Sequence, residues 1–210
     1  SPDELVEAVA EASRHGVPVA AHAHANAGIN QAIEAGVRSI EHGTYLDDYS
    51  IKLMVEHGTF LVPTIYVGDY YAGTDKLLAQ DKNDDVYLNY RDEWLSLIGR
   101  AHRAGVKVVV GSDLGGYNID PQAYAREIAV LTEAGLSPMA AIKAATSVAA
   151  DMLNWSGQVG SIQTGRWADL IAVSDNPLAD LSLLENPTFV MKGGQIVRWD
   201  EAPQQRASYP

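Results

Sequence analysis

Three histidines and one aspartate carry the chemistry legible in this sequence. His22 and His24 stand two residues apart in the apolar run VPVAAHAH (17–24), His42 closes VRSIEHG (37–43), and Asp113 closes VKVVVGSD (106–113). Side chains at positions i and i+2 of a strand point to the same side, so His22 and His24 share a face. Imidazole and carboxylate groups ligate borderline or hard divalent metals, and with no cysteine in the chain a thiolate site or a disulfide is excluded. Burying such groups together costs several kcal/mol unless something satisfies them, and a metal ion does.

The elements that must position these residues alternate. A helix over 3–15 follows Ser1 and Pro2, with acidic residues in its first turn and Gly16 past its end. The strand at 17–24 leads through a polar turn into a short helix stopping at Gly36. The strand at 37–43 leads into a helix over 47–57 that stops at Gly58, and TFLVPT (59–64) is the third strand. After a helix at 86–104 comes the fourth strand, 106–113, and then a helix over 121–135. Four continuous apolar strands alternating with helices predict a parallel sheet covered on both faces. The histidines and Asp113 then sit at the carboxyl ends of their strands, the rim where α/β barrels keep their active sites.

The polar, acidic stretch 68–85 reads as a long loop on that rim, of a length suited to a lid or specificity element. Its charge would favour neutral or cationic substrates. Tyr66, Tyr70 and Tyr71 follow the third strand and are candidates to line a pocket. SPMAAIKAATSVAADML (137–153) reads as one helix, with Ser137 as its cap and Pro138 in first position. Beyond it, GQVGSIQTG, ADLIAV and TFVMKGGQIVR read as short β segments, the last a hairpin turned at Gly193-Gly194. The expected organisation is four βα units (1–153), a small β appendage (154–200) and a polar tail (201–210).

Fifteen basic against 27 acidic residues give a net charge of −12 and a pI near 4.8, which argues against nucleic acid or an anionic membrane as partner. With 47% apolar and 20% charged residues the chain has an ordinary globular composition. No run approaches the roughly 18 apolar residues of a membrane span, and the first 16 residues are acidic and amphipathic, unlike a signal peptide. His15, His57 and His102 fall in the last turns of their helices, where an imidazolium suits the dipole, and receive no role.

In order, VAAHAHANAGINQAIEAGVRSIEHG, LVPT, VVVGSD, GLSPMAAIKAATSVAADMLN and VGSIQTGRWADLIAVSDNPLADL resemble the C-terminal half of amidohydrolase superfamily enzymes. The branch is the imidazolonepropionase-like and Xaa-Pro dipeptidase (prolidase-like) one, and the resemblance covers about residues 1–198. It implies an α/β fold in which 1–153 are half a barrel, strands five to eight of a (β/α)8 TIM barrel, and 154–200 are part of a small β-sandwich. It maps His22, His42 and Asp113 onto the ligands of the fifth, sixth and eighth strands, with His24 as a substrate contact beside Tyr66. It implies one or two divalent metals, zinc foremost, and hydrolysis of amide C–N bonds in dipeptides or N-acyl amino acids. Asp113 would take a proton from water and return it to the leaving amine.

The family's HxH pair and fourth-strand lysine belong upstream of Ser1, so the resemblance also implies a missing N-terminal half as partner. Relatives often carry a histidine after the eighth-strand aspartate, where this chain reads YNID (117–120). The competing expectation is a non-catalytic half barrel that closes by homodimerisation, because open parallel edges invite self-association.

Overall fold

The structure, a computed structural model, describes residues 1–74, 84–114 and 122–200, with side chains at 1–70, 90–114 and 122–200. Helix α1 (Pro2–Arg14) starts at a capping box, in which the Ser1 hydroxyl accepts the Glu4 amide N–H and the Glu4 carboxylate accepts from the amine of Ser1. Then β1 (Ala20–Ala23), α2 (Asn26–Glu34), β2 (Ser39–His42), α3 (Asp48–His57) and β3 (Phe60–Val62) alternate. The strands lie side by side in chain order, all parallel, with Ala20 opposite Ser39 and Ser39 opposite Phe60.

The expected fourth strand joins this sheet through a single parallel bridge between Leu61 and Val108. Leu61 donates to the Lys107 carbonyl at 3.0 Å and accepts from the Val109 N–H at 2.8 Å. The next rung would need an N–H from Pro63, which has none, and the preceding one would use Thr59, whose N–H is taken by the Met54 carbonyl at 3.0 Å.

Helices α4 (Ile65–Thr74), α5 (Asp84–Ala104), α6 (Ala123–Glu133), α7 (Pro138–Ala144) and α8 (Ser147–Met152) complete the first layer system. Two expectations are corrected here. The stretch read as a loop over 68–85 is helical up to Thr74 and again from Asp84, while 75–83 lie outside the described residues, as do YNID and the tail 201–210. The helix read over 137–153 is two helices. The Thr146 hydroxyl donates to the Ile142 carbonyl at 2.8 Å, and the Ala144 carbonyl, which a continuous helix would use, accepts instead from Val110 N–H at 3.2 Å.

One face of the sheet packs Ile40 and Leu61 against Ile29, Ile33, Met54, Ile98 and Leu131 of the helices, all buried. The opposite face carries Phe60, Val62 and Val109, covered by Val148, Ala149 and Met152 of α8. Arg38, just before β2, ties α8 down by donating to the Asp151 and Met152 carbonyls at 2.7 and 3.2 Å, with its guanidinium 4.6 Å from the Phe60 ring. Strand β1 is an edge, and Ala20 and His22 on it are exposed.

A separate antiparallel sheet holds β4 (Leu170–Ala172), β5 (Phe189–Lys192) and β6 (Gln195–Trp199) in that order. Gly193 and Gly194 turn the hairpin with φ of 57° and 80°, the left-handed pair that such a two-residue turn requires. GQVGSIQTG forms turns instead of the expected strand, its carbonyls going to neighbours: Gln158 accepts from Trp167 N–H and Val159 from the Arg166 guanidinium, both at 2.9 Å. Strand β6 is exposed along its length, and Ile171, Ile196, Val197 and Trp199 face solvent. Among the described residues no helix is long and apolar enough to cross a membrane.

Candidate metal centre

Parallel pairing brings the functional residues to one rim. Ala23 at the end of β1 lies opposite His42 at the end of β2, so His24, one residue past β1, arrives beside His42, and His22 lies one pleat below. The ligand atoms of His22, His24 and His42 all lie within 4.8 Å of one another. The His24 and His42 rings stack with planes 12° apart, and His22 stands edge-on to both, at 4.7 and 4.5 Å between centroids. His42 is buried, at 8% exposure, and the other two are open.

The chain turns sharply at the end of β2, just after β3 and at the end of the 106–113 segment. His42, Thr64 and Asp113 adopt left-handed backbones with φ of 69°, 55° and 49°. For non-glycine residues this costs on the order of 1–3 kcal/mol each, and such strain clusters where side chains must be aimed. Gly43 follows His42 at φ 60°, and a Cβ there would come 2.7 Å from the Leu61 side chain.

Two of the three rim imidazoles are anchored from outside. Nδ1 of His42 lies 2.6 Å from the Thr64 hydroxyl oxygen and Nδ1 of His24 lies 2.8 Å from that of Thr44. With Nδ1 engaged, Nε2 is the nitrogen left to ligate, which is how metal-binding histidines are commonly oriented. Thr44 is itself held by the Tyr90 hydroxyl of α5, which donates to its carbonyl at 2.9 Å. Directly after Thr64, the Ile65 and Tyr66 N–H groups donate at 3.0 and 2.6 Å to the two oxygens of Glu127, a fully buried residue of α6.

Burial, then the positive forms of His24 and His22, pushes His42 down to about 4, with the Asp113 charge opposing. His24 is lowered by burial and then by His22, again against Asp113. Both imidazoles are therefore neutral near pH 7, the form that binds metals. Burial raises the Glu127 carboxyl to about 8, against its two amide hydrogen bonds, which favour the anion.

Of the residues singled out in the sequence, His22, His24 and His42 come together. Asp113 is exposed, and its carboxylate stands apart from that ligand-distance group while its charge acts on His24 and His42. Tyr66 is committed to α6, its hydroxyl accepting from Arg126 at 2.6 Å and its ring 6.4 Å from Tyr70. The side chain of Tyr71 lies outside the described residues. Thr44, Thr64 and Glu127 were not singled out. The signal for Glu127 was a carboxylate on the same helix stripe as Ile128 and Leu131, a position normally apolar. Three clustered imidazoles, two of them held neutral and anchored through Nδ1, fit a divalent ion of the zinc type.

A parallel sheet layered with helices, its imidazoles gathered at the strands' carboxyl ends, is an α/β arrangement of the kind found in barrels. The chain matches the Amidohydrolase family over residues 1–197 and belongs to it. It is 34% identical to the ochratoxinase of Aspergillus niger over 204 residues, covering 94% of this chain and 42% of that protein. It is similar to a Xaa-Pro dipeptidase solved with methionine in its active site, at 35% identity and a TM-score of 0.84, covering 94% of this chain and 49% of that one. It is also similar to a prolidase complexed with N-methylphosphonate-L-proline, at 32% identity and a TM-score of 0.83, covering 95% and 49%. The chain thus spans about half the length of the relatives it matches.

Proposed function

We propose that this chain supplies strands five to eight of an amidohydrolase (β/α)8 barrel and, over 154–200, part of its small β-sandwich. The whole protein is then a metal-dependent hydrolase of amide C–N bonds, acting on Xaa-Pro-like dipeptides or N-acyl amino acids. The observation that carries this reading is the cluster of His22, His24 and His42 at the carboxyl rim of a parallel sheet. Relatives whose names specify a Xaa-Pro dipeptidase, a prolidase and an ochratoxinase support the substrate class.

In this reading His22, His42 and Asp113 are the metal ligands that this chain brings to a zinc-like centre of one or two ions, His22 and His42 holding the more exposed ion. When bound, such an ion polarises a scissile carbonyl and lowers the pKa of water towards about 7. Asp113, exposed on the same rim, accepts a proton from the attacking water and delivers it to the leaving nitrogen. His24, stacked on His42, and Tyr66 are assigned to the substrate side. The exposed edge of β1 and the exposed apolar face of β6 are where the N-terminal half docks, and hydrolysis needs that half. The net charge of −12 argues against nucleic acid and anionic membrane as further partners.

The test is metal analysis and native mass spectrometry of the complete gene product, followed by turnover of Xaa-Pro dipeptides and N-acyl amino acids. Zinc at one or two ions per barrel with hydrolysis of either class is expected, and a zinc-loaded barrel inert towards both overturns the reading. A second reading rests on the exposed β1 edge: two copies of this chain close a barrel without catalysis, and a metal-free homodimer would favour it.

A further inference from the structure

Glu127 is the one buried carboxylate among the described residues, at 0% exposure in the helix layer. Both of its oxygens are used on the first turn of α4, accepting the Ile65 and Tyr66 N–H groups at 3.0 and 2.6 Å. Helix starts are ordinarily capped by a local Ser, Thr, Asp or Asn. Here the cap comes from 61 and 62 residues further along the chain and requires a carboxyl group to be held in the core.

What this cap fixes lies immediately upstream. The two hydrogen bonds orient the peptide that follows Thr64. Thr64, at the start of that peptide, stands at φ 55°, a left-handed conformation that a β-branched residue rarely adopts. In that conformation the buried Thr64 hydroxyl lies 2.6 Å from Nδ1 of His42, which is itself at φ 69°. Released from the cap, Thr64 would relax towards extended backbone and carry its hydroxyl away from the ring.

We propose that Glu127 is a positioning residue for His42, acting through the first turn of α4 and Thr64. Glu127 makes no hydrogen bond to the histidines. Its effect passes through two backbone amides and one hydroxyl, and it couples α6 to the rim. The inference deepens the reading of the histidine cluster as the functional site and rests on it.

The test uses the 210-residue chain, first free of metal and with its histidine rings labelled with nitrogen-15. Long-range proton–nitrogen spectra report whether His42 keeps one tautomer. Glu127→Leu removes both acceptors at similar bulk, Glu127→Gln keeps one oxygen, and Thr64→Val removes the hydroxyl. Glu133→Gln, an exposed position on the same helix, serves as the control. A single His42 tautomer is expected in the wild type and the control, averaging in Glu127→Leu and Thr64→Val, and an intermediate state in Glu127→Gln.

Titration with Co²⁺ against a chromophoric chelator then reads the same order as affinity. A loss of about 10- to 100-fold is expected in the two breaking variants, as for other partners that orient a ligating histidine. The double variant should lose no more than either single one. Unchanged His42 signals in a folded Glu127→Leu or Glu127→Gln chain, or fully additive Glu127 and Thr64 effects, overturn the proposal. Should Glu127→Leu fail to fold, Glu127→Gln and Thr64→Val decide it alone. A wild-type chain that ignores Co²⁺ while Glu127→Leu still releases His42 would sink the metal reading and leave this inference standing.

Discussion

Nδ1 of His42 lies 2.6 Å from the hydroxyl of Thr64, 22 residues later and just beyond the end of the next strand. The pattern repeats one strand earlier, where Nδ1 of His24 lies 2.8 Å from Thr44, 20 residues later. In each case the histidine of one βα unit is steered by the threonine that follows the next strand, so neighbouring units build the rim jointly. The two anchors differ in burial, the first being buried and the second exposed. Thr44→Val should therefore weaken Co²⁺ binding by less than Thr64→Val, because water can replace an exposed hydroxyl. Parallel chelator-competition titrations check the order.

The three histidines separate in a second experiment. In this chain alone, His22→Ala, His24→Ala and His42→Ala should each cut Co²⁺ affinity by more than the ~10–100-fold attached to an outer partner, since each removes a nitrogen of the cluster. In the complete protein the same variants should part ways. His22→Ala and His42→Ala should lose metal, whereas His24→Ala should keep it and raise KM. Metal content measured beside steady-state kinetics makes the distinction, and loss of metal in all three would move His24 into the ligand set.

The metal-free chain should be acid-sensitive in a defined window. His42 has a folded-state value of about 4 against an ordinary 6.5, so the folded state refuses a proton that the unfolded state accepts. Between those values stability falls as pH falls, and above about 6.5 this residue contributes no slope. Asp113 opposes the depression, so Asp113→Asn should steepen the loss, and His42→Gln should flatten it. Urea melts of chelator-treated protein from pH 4 to pH 7 read the slope directly, and a flat wild-type profile would contradict the burial of a neutral His42.

Much of this rim was legible because strand periodicity and helix stops are local signals. The i, i+2 spacing of His22 and His24 fixes their shared side, and Gly36 and Gly58 mark where chains leave helices for strands. What stayed hidden was set by long-range pairing. Residues 65–74 are helical, and their first turn is capped by Glu127 from another helix, a contact that nothing within 68–85 announces. The helix over 137–153 breaks because Val110 takes the Ala144 carbonyl, and the fourth strand shortens because Pro63 lacks a donor at the needed rung. Asp113 shows the same limit at the site. Its position at a strand end was readable, but its left-handed φ of 49° and exposed carboxylate were not.

Asp113 should be separable from the three-histidine group of this chain. Its carboxylate lies outside the histidine group, so Asp113→Asn should leave Co²⁺ affinity of this chain within a few-fold of wild type. In the complete protein, loss of a general base should lower kcat by about 10²–10⁴. Metal content of the complete protein should fall as well, because Asp113 is proposed as a ligand of the full centre, and an unchanged metal content would leave it the base alone.

The approach to Asp113 is shaped by Gly111, two residues before it. A Cβ at Gly111 would fall 2.4 Å from Val62 Cγ1 and 3.3 Å from the Thr64 methyl, so the chain passes β3 at a distance only glycine allows. Val62 has little room to retreat, being buried with Phe60 and Val109 against α8. Gly111→Ala should therefore destabilise the fold by about 1–3 kcal/mol, the range for overpacking a filled interior. Val62→Ala removes the obstructing methyl, so the double variant should lose clearly less than the two single losses added together. Urea denaturation of the four chains closes this cycle. Strict additivity would mean that Gly111 is set by its backbone and not by contact with Val62. A Gly111→Ala chain that also loses the His42 tautomer would instead place the clash at the Thr64 methyl, the nearest group that reaches the metal rim.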